Sequence, residues 1–263
     1  MGPEWVTAID AWARELRALG RSPATVVTRR RWVTLLAGSP GMPEPAAVTR
    51  EHLIDWMAGQ TWAPNTRRSA RASARGFFAW ARERGIRGDD PTADIPGVRV
   101  PPPLPHPAPE ARFRAAVAAA TPRAELALML AGFAGLRRAE IAQARREDLD
   151  DFGLWVRGKG GRARLVPVTP SLRQRVESSP PGWLFPARWG DGHMHVDAVG
   201  KMVRRVLGLG PHSLRHRFAT RAYAATHDLR AVQTLLGHSS PASTAAYVAV
   251  ADEALCAAVA AAA

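Results

Sequence analysis

No stretch limits the fold of this 263-residue chain as much as residues 98–109, V-R-V-P-P-P-L-P-H-P-A-P. Proline has no amide hydrogen to donate and holds its predecessor away from helical dihedrals, so neither a helix nor a central strand can pass through. Two folded bodies joined by an extended, moderately stiff linker are therefore expected: residues 1–90, a linker over 91–109, and residues 110–263. With 46% hydrophobic residues, the chain can build a core in each. A proline-binding partner is the alternative use of such a linker. No internal repeat of about 20–50 residues is evident.

In the first body, Trp5, Ile9, Trp12, Leu16 and Leu19 recur at helical spacing, giving residues 3–19 one apolar face that stops near Gly20. Ser22-Pro23 opens a second helix with a capping residue and a first-turn proline, and Val26, Val27, Leu35 and Leu36 are expected on its buried side. Thr49 starts a third helix through Leu53, Trp56 and Met57. A fourth starts at Asn65 or a neighbour, runs to about Arg84, and supplies Phe77, Phe78 and Trp80 to the core. Together these make a four-helix bundle. Arg29, Arg30 and Arg31 cluster on the second helix, and Arg67, Arg71 and Arg75 repeat every four residues on the fourth. A charged stripe is ordinarily a solvated face, but such faces mix signs. This one is wholly positive, which favours phosphate contact by Arg29, Arg30, Arg67, Arg71 and Arg75.

The second body reads as mostly helical, with helices near 110–120 and 122–134, at Arg137, and near 196–207, 213–225 and 228–236. The last is capped by Asp228 and ends at Gly237. In A-G-L-R-R-A-E, Arg137 and Glu140 fall three apart at a helix start, so Glu140 can hold an arginine in place. The segment G-L-W-V-R-G-K-G-G-R-A-R-L-V-P-V alternates Leu154, Val156 and then Leu165 around a Gly-rich turn, the pattern of a two-stranded hairpin with Lys159 at its tip. Of 36 basic residues only Lys159 and Lys201 are lysine. Lysine can release a proton where its site lowers the pKa and arginine practically cannot, so Lys159 suits a general acid. The G-K-G lacks the spacing and following helix of a nucleotide-binding loop.

Residues 211–247 gather His212, Arg215, His238 and Tyr247. A helix beginning at Ser213 or just before it places His212 at the positive amino end and Arg215 in the first turn, where both can face one anion. A guanidinium suits phosphate oxygens, an imidazole passes protons near neutral pH, and a phenol can be a covalent nucleophile. Together they read as phosphoryl transfer. The other tyrosine, Tyr223, lies in an apolar helix and is assigned to the core. His212 and His216 invite a metal reading, but Ser213 stands where a zinc-protease pattern needs Glu, and Arg215 between them repels a cation. No metal and no other cofactor is expected, and His193 and His195 read as loop residues.

The net charge is +13, from 15 basic against 10 acidic residues in 1–100 and 21 against 13 in 101–263. A basic surface on both halves suits a polyanion gripped along its length; a soluble protein of Arg-rich composition is the plain alternative. The lone Cys256 permits no intrachain disulfide, no basic-then-apolar leader opens the chain, and no run of about 18 apolar residues occurs. A cytoplasmic location with no membrane partner is expected.

With these residues assembled, the chain resembles the tyrosine recombinases of the phage-integrase family. The resemblance is carried by A-G-L-R-R-A-E, the G-K-G hairpin, H-S-L-R-H-R-F-A-T, and L-L-G-H followed nine residues later by Tyr247. It extends more loosely over residues 3–100, which resemble the family's core-binding domain. It implies a mainly α fold, with a four-helix core-binding bundle and a mixed, mostly helical catalytic domain holding a small β-hairpin. Because the chain begins close to Trp5, the short form without an arm-binding domain is expected. The implied activity is site-specific cleavage and rejoining of DNA through a 3′-phosphotyrosine, without metal or ATP. Arg137 and Arg215 would clamp the phosphate and His238 would add a hydrogen bond. His212 would serve in proton transfer, Lys159 would protonate the leaving 5′ oxygen, Tyr247 would attack, and Glu140 would support. Integration or excision of a phage or mobile element is the implied role. A chromosomal Xer-like recombinase, a type IB topoisomerase and a catalytically silent DNA-binding regulator are the alternatives, and the intact set of polar groups speaks against the last. Implied partners are double-stranded DNA with core-type attachment sites, a homotetramer on DNA, and an accessory directionality factor. The alanine-rich tail is expected to form a helix from about residue 251 that docks on a neighbouring subunit; a frayed end or a protease tag are its other readings.

Overall fold

The computed structural model describes residues 1–101, 105–158 and 163–237. The chain divides into two compact units between Pro101 and Pro102. Helices α1 (Pro3–Ala18), α2 (Pro23–Ala37), α3 (Arg50–Ala58) and α4 (Pro64–Glu83) build the first unit. Their starts follow local chemistry. Proline opens α1, α2 and α4, Ser22 accepts from the Thr25 amide, and Thr49 and His52 cap α3 reciprocally. Aromatic rings fill the centre: Trp5 stacks on Phe77 at 5.4 Å between centroids, and Trp32 and Trp56 meet Trp62 edge-on at 5.0 and 5.1 Å.

Three apolar residues assigned to buried faces lie outside. Val27 is 67% exposed and Leu35 46%, because Val26, Trp32, Val33 and Leu36 form the buried side of α2. Leu19 caps the end of α1 at 66% exposure, where the chain already turns away from the core. Beyond α4 the chain stays on the bundle. Asp90 accepts from the Thr92 amide, Ile95 is buried, and the Arg87 guanidinium donates to the carbonyls of Pro45 and Val48, both at 2.8 Å.

The second unit comprises α5 (Glu110–Ala119), α6 (Pro122–Phe133), α7 (Arg138–Ala142), β1 (Leu154–Arg157), β2 (Ala163–Val166), α8 (Pro170–Glu177), α9 (Val196–Leu207), α10 (Pro211–Thr226) and α11 (Leu229–Leu236). Beyond its first turn, helix α6 is apolar all round, and it is packed by α5, α8, α9 and α10, so it is the axis of this core. Ala108 also belongs here, its amide donating to the Ser213 carbonyl at 3.0 Å. Strands β1 and β2 pair antiparallel, with Leu154 opposite Val166, Trp155 opposite Leu165, and Val156 opposite Arg164. Opposed residues share a face. Leu165 therefore sides with the exposed Trp155, not with Leu154 and Val156 as its spacing suggested, and Arg164 takes the inner position.

Helix α8, which the sequence reading did not anticipate, is capped by the Thr169 side chain. Helix α10 opens at Pro211 behind Gly210, so Arg215 stands one turn beyond His212 rather than in the first turn. Asp228 caps α11 by accepting from the amides of Arg230 and Ala231, and Gly237 ends it at φ +61°. Lys159, His238, Tyr247 and the tail from residue 251 lie outside the described residues. Among the described residues no helix is long and apolar enough to cross a membrane.

Candidate active site

The site starts from the turn Ala134-Gly135-Leu136. Gly135 has φ +66°, and a Cβ there would lie 2.5 Å from the Phe218 ring, so only glycine fits. This turn delivers Arg137 to the N-cap of α7 and Glu140 to its third position. Glu140 then accepts from the Arg137 amide through Oε2 and from Arg137 Nη1 through Oε1, both at 2.8 Å. The carboxylate is only 4% exposed. From β2, Arg164 donates to both of its oxygens at 2.9 Å, and Arg215 Nη1 lies 3.9 Å from Oε2. Burial pushes the Glu140 carboxyl up, but the hydrogen bonds from Arg164 and the Arg137 amide, with both charges, bring it below the usual carboxylate range. It is ionised at neutral pH, and three guanidiniums around it leave the cluster net positive.

The same arginines finish α11. Arg164 Nε donates to the Leu235 carbonyl at 2.8 Å, Arg215 Nη2 to Leu236 at 2.6 Å, and Arg137 Nη2 to Gly237 at 3.2 Å. The last carbonyls of a helix lack partners of their own and carry its negative end, so cations are held there. Arg215 is 1% exposed and also donates to the Gly135 carbonyl at 2.6 Å, whereas Arg137 is 39% exposed. His212 sits at the second position of α10, its ring edge-on to His216 at 4.2 Å. Solvent reaches the residue, yet desolvation and then the charges of Arg215 and Arg137 lower its pKa. It is neutral at neutral pH, with a nitrogen lone pair able to take up a proton.

The structure thus brings together Arg137, Glu140, His212 and Arg215. His238 directly follows the turn on which the arginines converge, and Lys159 lies in the chain between β1 and β2; neither is among the described residues. Sequence reasoning missed Arg164. The trace it left is an arginine two residues before the buried Val166, on the strand's inner face, where a charge needs a buried partner. Among the described residues no three His, Cys, Asp or Glu side chains gather as a metal site would require.

In the first unit the basic stripe is uneven. Arg29 donates to the Ala72 carbonyl at 2.9 Å and lies against Gly76, Arg67 donates to Gln60 at 3.0 Å, and Arg71 donates to the Ile95 carbonyl. Arg30 pairs with Asp10 at 2.6 Å, and Arg75 is exposed.

A helical unit with one hairpin and three arginines converging on a buried carboxylate defines a class. The model of the Phage integrase family matches residues 111–254, and the chain belongs to that family. The tyrosine recombinase XerC of Rhodospirillum centenum is 31% identical over 93% of this chain and 83% of its own length. XerD of Xanthomonas campestris is 34% identical over 78% and 74%. The crystal structure of a lambda integrase dimer bound to a COC′ core site shares the fold, with a TM-score of 0.71 at 18% identity over 89% of this chain and 95% of that one. The chain is a tyrosine recombinase, an enzyme that cleaves and rejoins DNA strands in site-specific recombination.

Proposed function

We propose that Arg137 and Arg215 hold the non-bridging oxygens of the scissile phosphate, with His238 adding a hydrogen bond, while Tyr247 attacks phosphorus in line with the departing 5′ oxygen. The bond from the Tyr247 oxygen to phosphorus forms as the bond from phosphorus to the 5′ oxygen breaks. The phenolic proton passes to His212, and Lys159 supplies one to the leaving oxygen. The product is a 3′-phosphotyrosine and a free 5′ hydroxyl. A 5′ hydroxyl from another strand reverses the step without ATP.

One observation supports this reading above the rest: Arg137 and Arg215 meet at Glu140 and at the final turn of α11, from which the chain runs on to His238 and Tyr247. The depressed pKa of His212 agrees with its part, because the neutral ring is the form that accepts a proton. In this reading the first unit grips double-stranded DNA at core-type attachment sites through Arg29, Arg30, Arg67, Arg71 and Arg75. Four protomers assemble on DNA in the cytoplasm, with a directionality factor as accessory partner, to integrate or excise a phage or mobile element. Replacing Tyr247→Phe is expected to abolish the covalent protein–DNA adduct on a nicked attachment-site duplex, read on a denaturing gel, and to leave DNA affinity unchanged. Adducts that persist in that variant would mean another nucleophile.

A further inference from the structure

We propose that Arg164 is a positioning residue for DNA cleavage; the inference rests on reading Arg137 and Arg215 as the phosphate clamp. Its side chain is 11% exposed, and all three of its nitrogens are engaged inside the protein. Nη1 and Nη2 hold the two oxygens of Glu140, and Nε holds the Leu235 carbonyl. In this reading it holds the clamp rather than the phosphate. It sets the plane of the carboxylate against which Arg137 is held, and it fixes the end of the helix that also receives Arg215 and Arg137.

One side chain thus joins three elements: β2, which follows the segment containing Lys159; α7, whose N-cap is Arg137; and α11, which ends two residues before His238. Arginine suits this place because its planar fork grips a carboxylate with two donors and still has a third for a carbonyl. Lysine is a point charge that matches one partner at a time. Among the causes that lower the Glu140 pKa, the hydrogen bond from Arg164 ranks first, so Arg164 does more than Arg137 to keep this anchor charged.

A scissile methylphosphonate separates positioning from bulk stability, because replacing one non-bridging oxygen by methyl removes the charge that the clamp neutralises. The full-length chain and its Arg164→Ala, Arg164→Lys and Arg137→Ala variants are compared on nicked attachment-site duplexes carrying phosphate or methylphosphonate. On phosphate, Arg164→Ala is expected to cleave about 100-fold more slowly, the effect of a displacement of about 1 Å in a reacting group, with DNA affinity within about threefold. Arg164→Lys recovers about tenfold of that loss, since it restores charge but not the fork. On methylphosphonate the deficits of both Arg164→Ala and Arg137→Ala shrink to less than about tenfold.

If Arg137→Ala is relieved and Arg164→Ala keeps the same deficit on both substrates, Arg164 is only a structural tie and the inference falls while the clamp stands. If neither variant is relieved, the clamp and the inference fall together. Should thermal melting show Arg164→Ala unfolded, Arg164→Lys, which keeps a cation beside Glu140, carries the same comparison between substrates.

Discussion

Glu140 and His216 are both held deprotonated in the folded protein, Glu140 by the arginines around it and His216 first by burial. Arg164 and Arg137 keep the Glu140 carboxyl ionised against its burial. Burial first, then the charges of His212, His106 and Arg215, push the His216 imidazole down to about 4. The unfolded chain takes up a proton near the ordinary histidine value, about 6.5, and the folded protein only near 4. Stability is therefore fully present above about pH 6.5 and is lost as pH falls toward 4, by about 2 kcal/mol after allowance for a partly exposed ring. The lowered pKa values of His212 and Glu140 act in the same direction, since each favours the deprotonated group in the folded state. Urea midpoints measured from pH 7 to pH 4 should fall less steeply in His216→Gln than in the unsubstituted chain. Equal slopes would remove His216 from this account.

Among the elements, α11 shows what a glycine contributes at a helix end. Gly237 has φ +61°, and a Cβ there would lie 3.1 Å from Arg164 Cδ and Nη1. Gly237→Ala is expected to cost about 1–2 kcal/mol for left-handed backbone strain, and to slow cleavage because Arg164 must shift. Gly20→Ala is the control. Its φ is +68° with nothing within 4 Å of the added methyl, so it should lower the melting temperature about as much and leave cleavage intact. Equal activity of the two variants would show that the end of α11 tolerates displacement. Helix starts were readable from sequence where a side chain caps its own helix, as at Ser22, Thr49 and Asp228. The pairing of Arg137 with Glu140 was readable too, because it spans three residues. The inward turn of Arg164 was not, because it depends on the hairpin register, and a slip of one residue exchanges the faces of a strand. Nor were the contacts of Arg215 with Gly135 and Leu236, which need α10 already packed on its neighbours.

For the whole molecule, the proline run announced two units. It did not show that Ile95 packs with the first and Ala108 with the second, since each contact depends on a folded surface elsewhere in the chain. The basic excess lies on both halves, and several arginines are already held by carbonyls or by Asp10. If about 6–10 phosphates are contacted, affinity for an attachment-site duplex should drop by about 10³–10⁵-fold between 50 and 200 mM salt. Fluorescence anisotropy titrations at several salt concentrations measure this, and a flat dependence would exclude a charge-driven grip. The end of α11 has an entropic consequence as well. Arg137, Arg164 and Arg215 lose their rotamer freedom when the chain folds, because helix carbonyls and Glu140 hold them. For Arg137 and Arg215, the proposed phosphate ligands, that ordering, about 0.5–1.5 kcal/mol for each long side chain, is then absent from the cost of association.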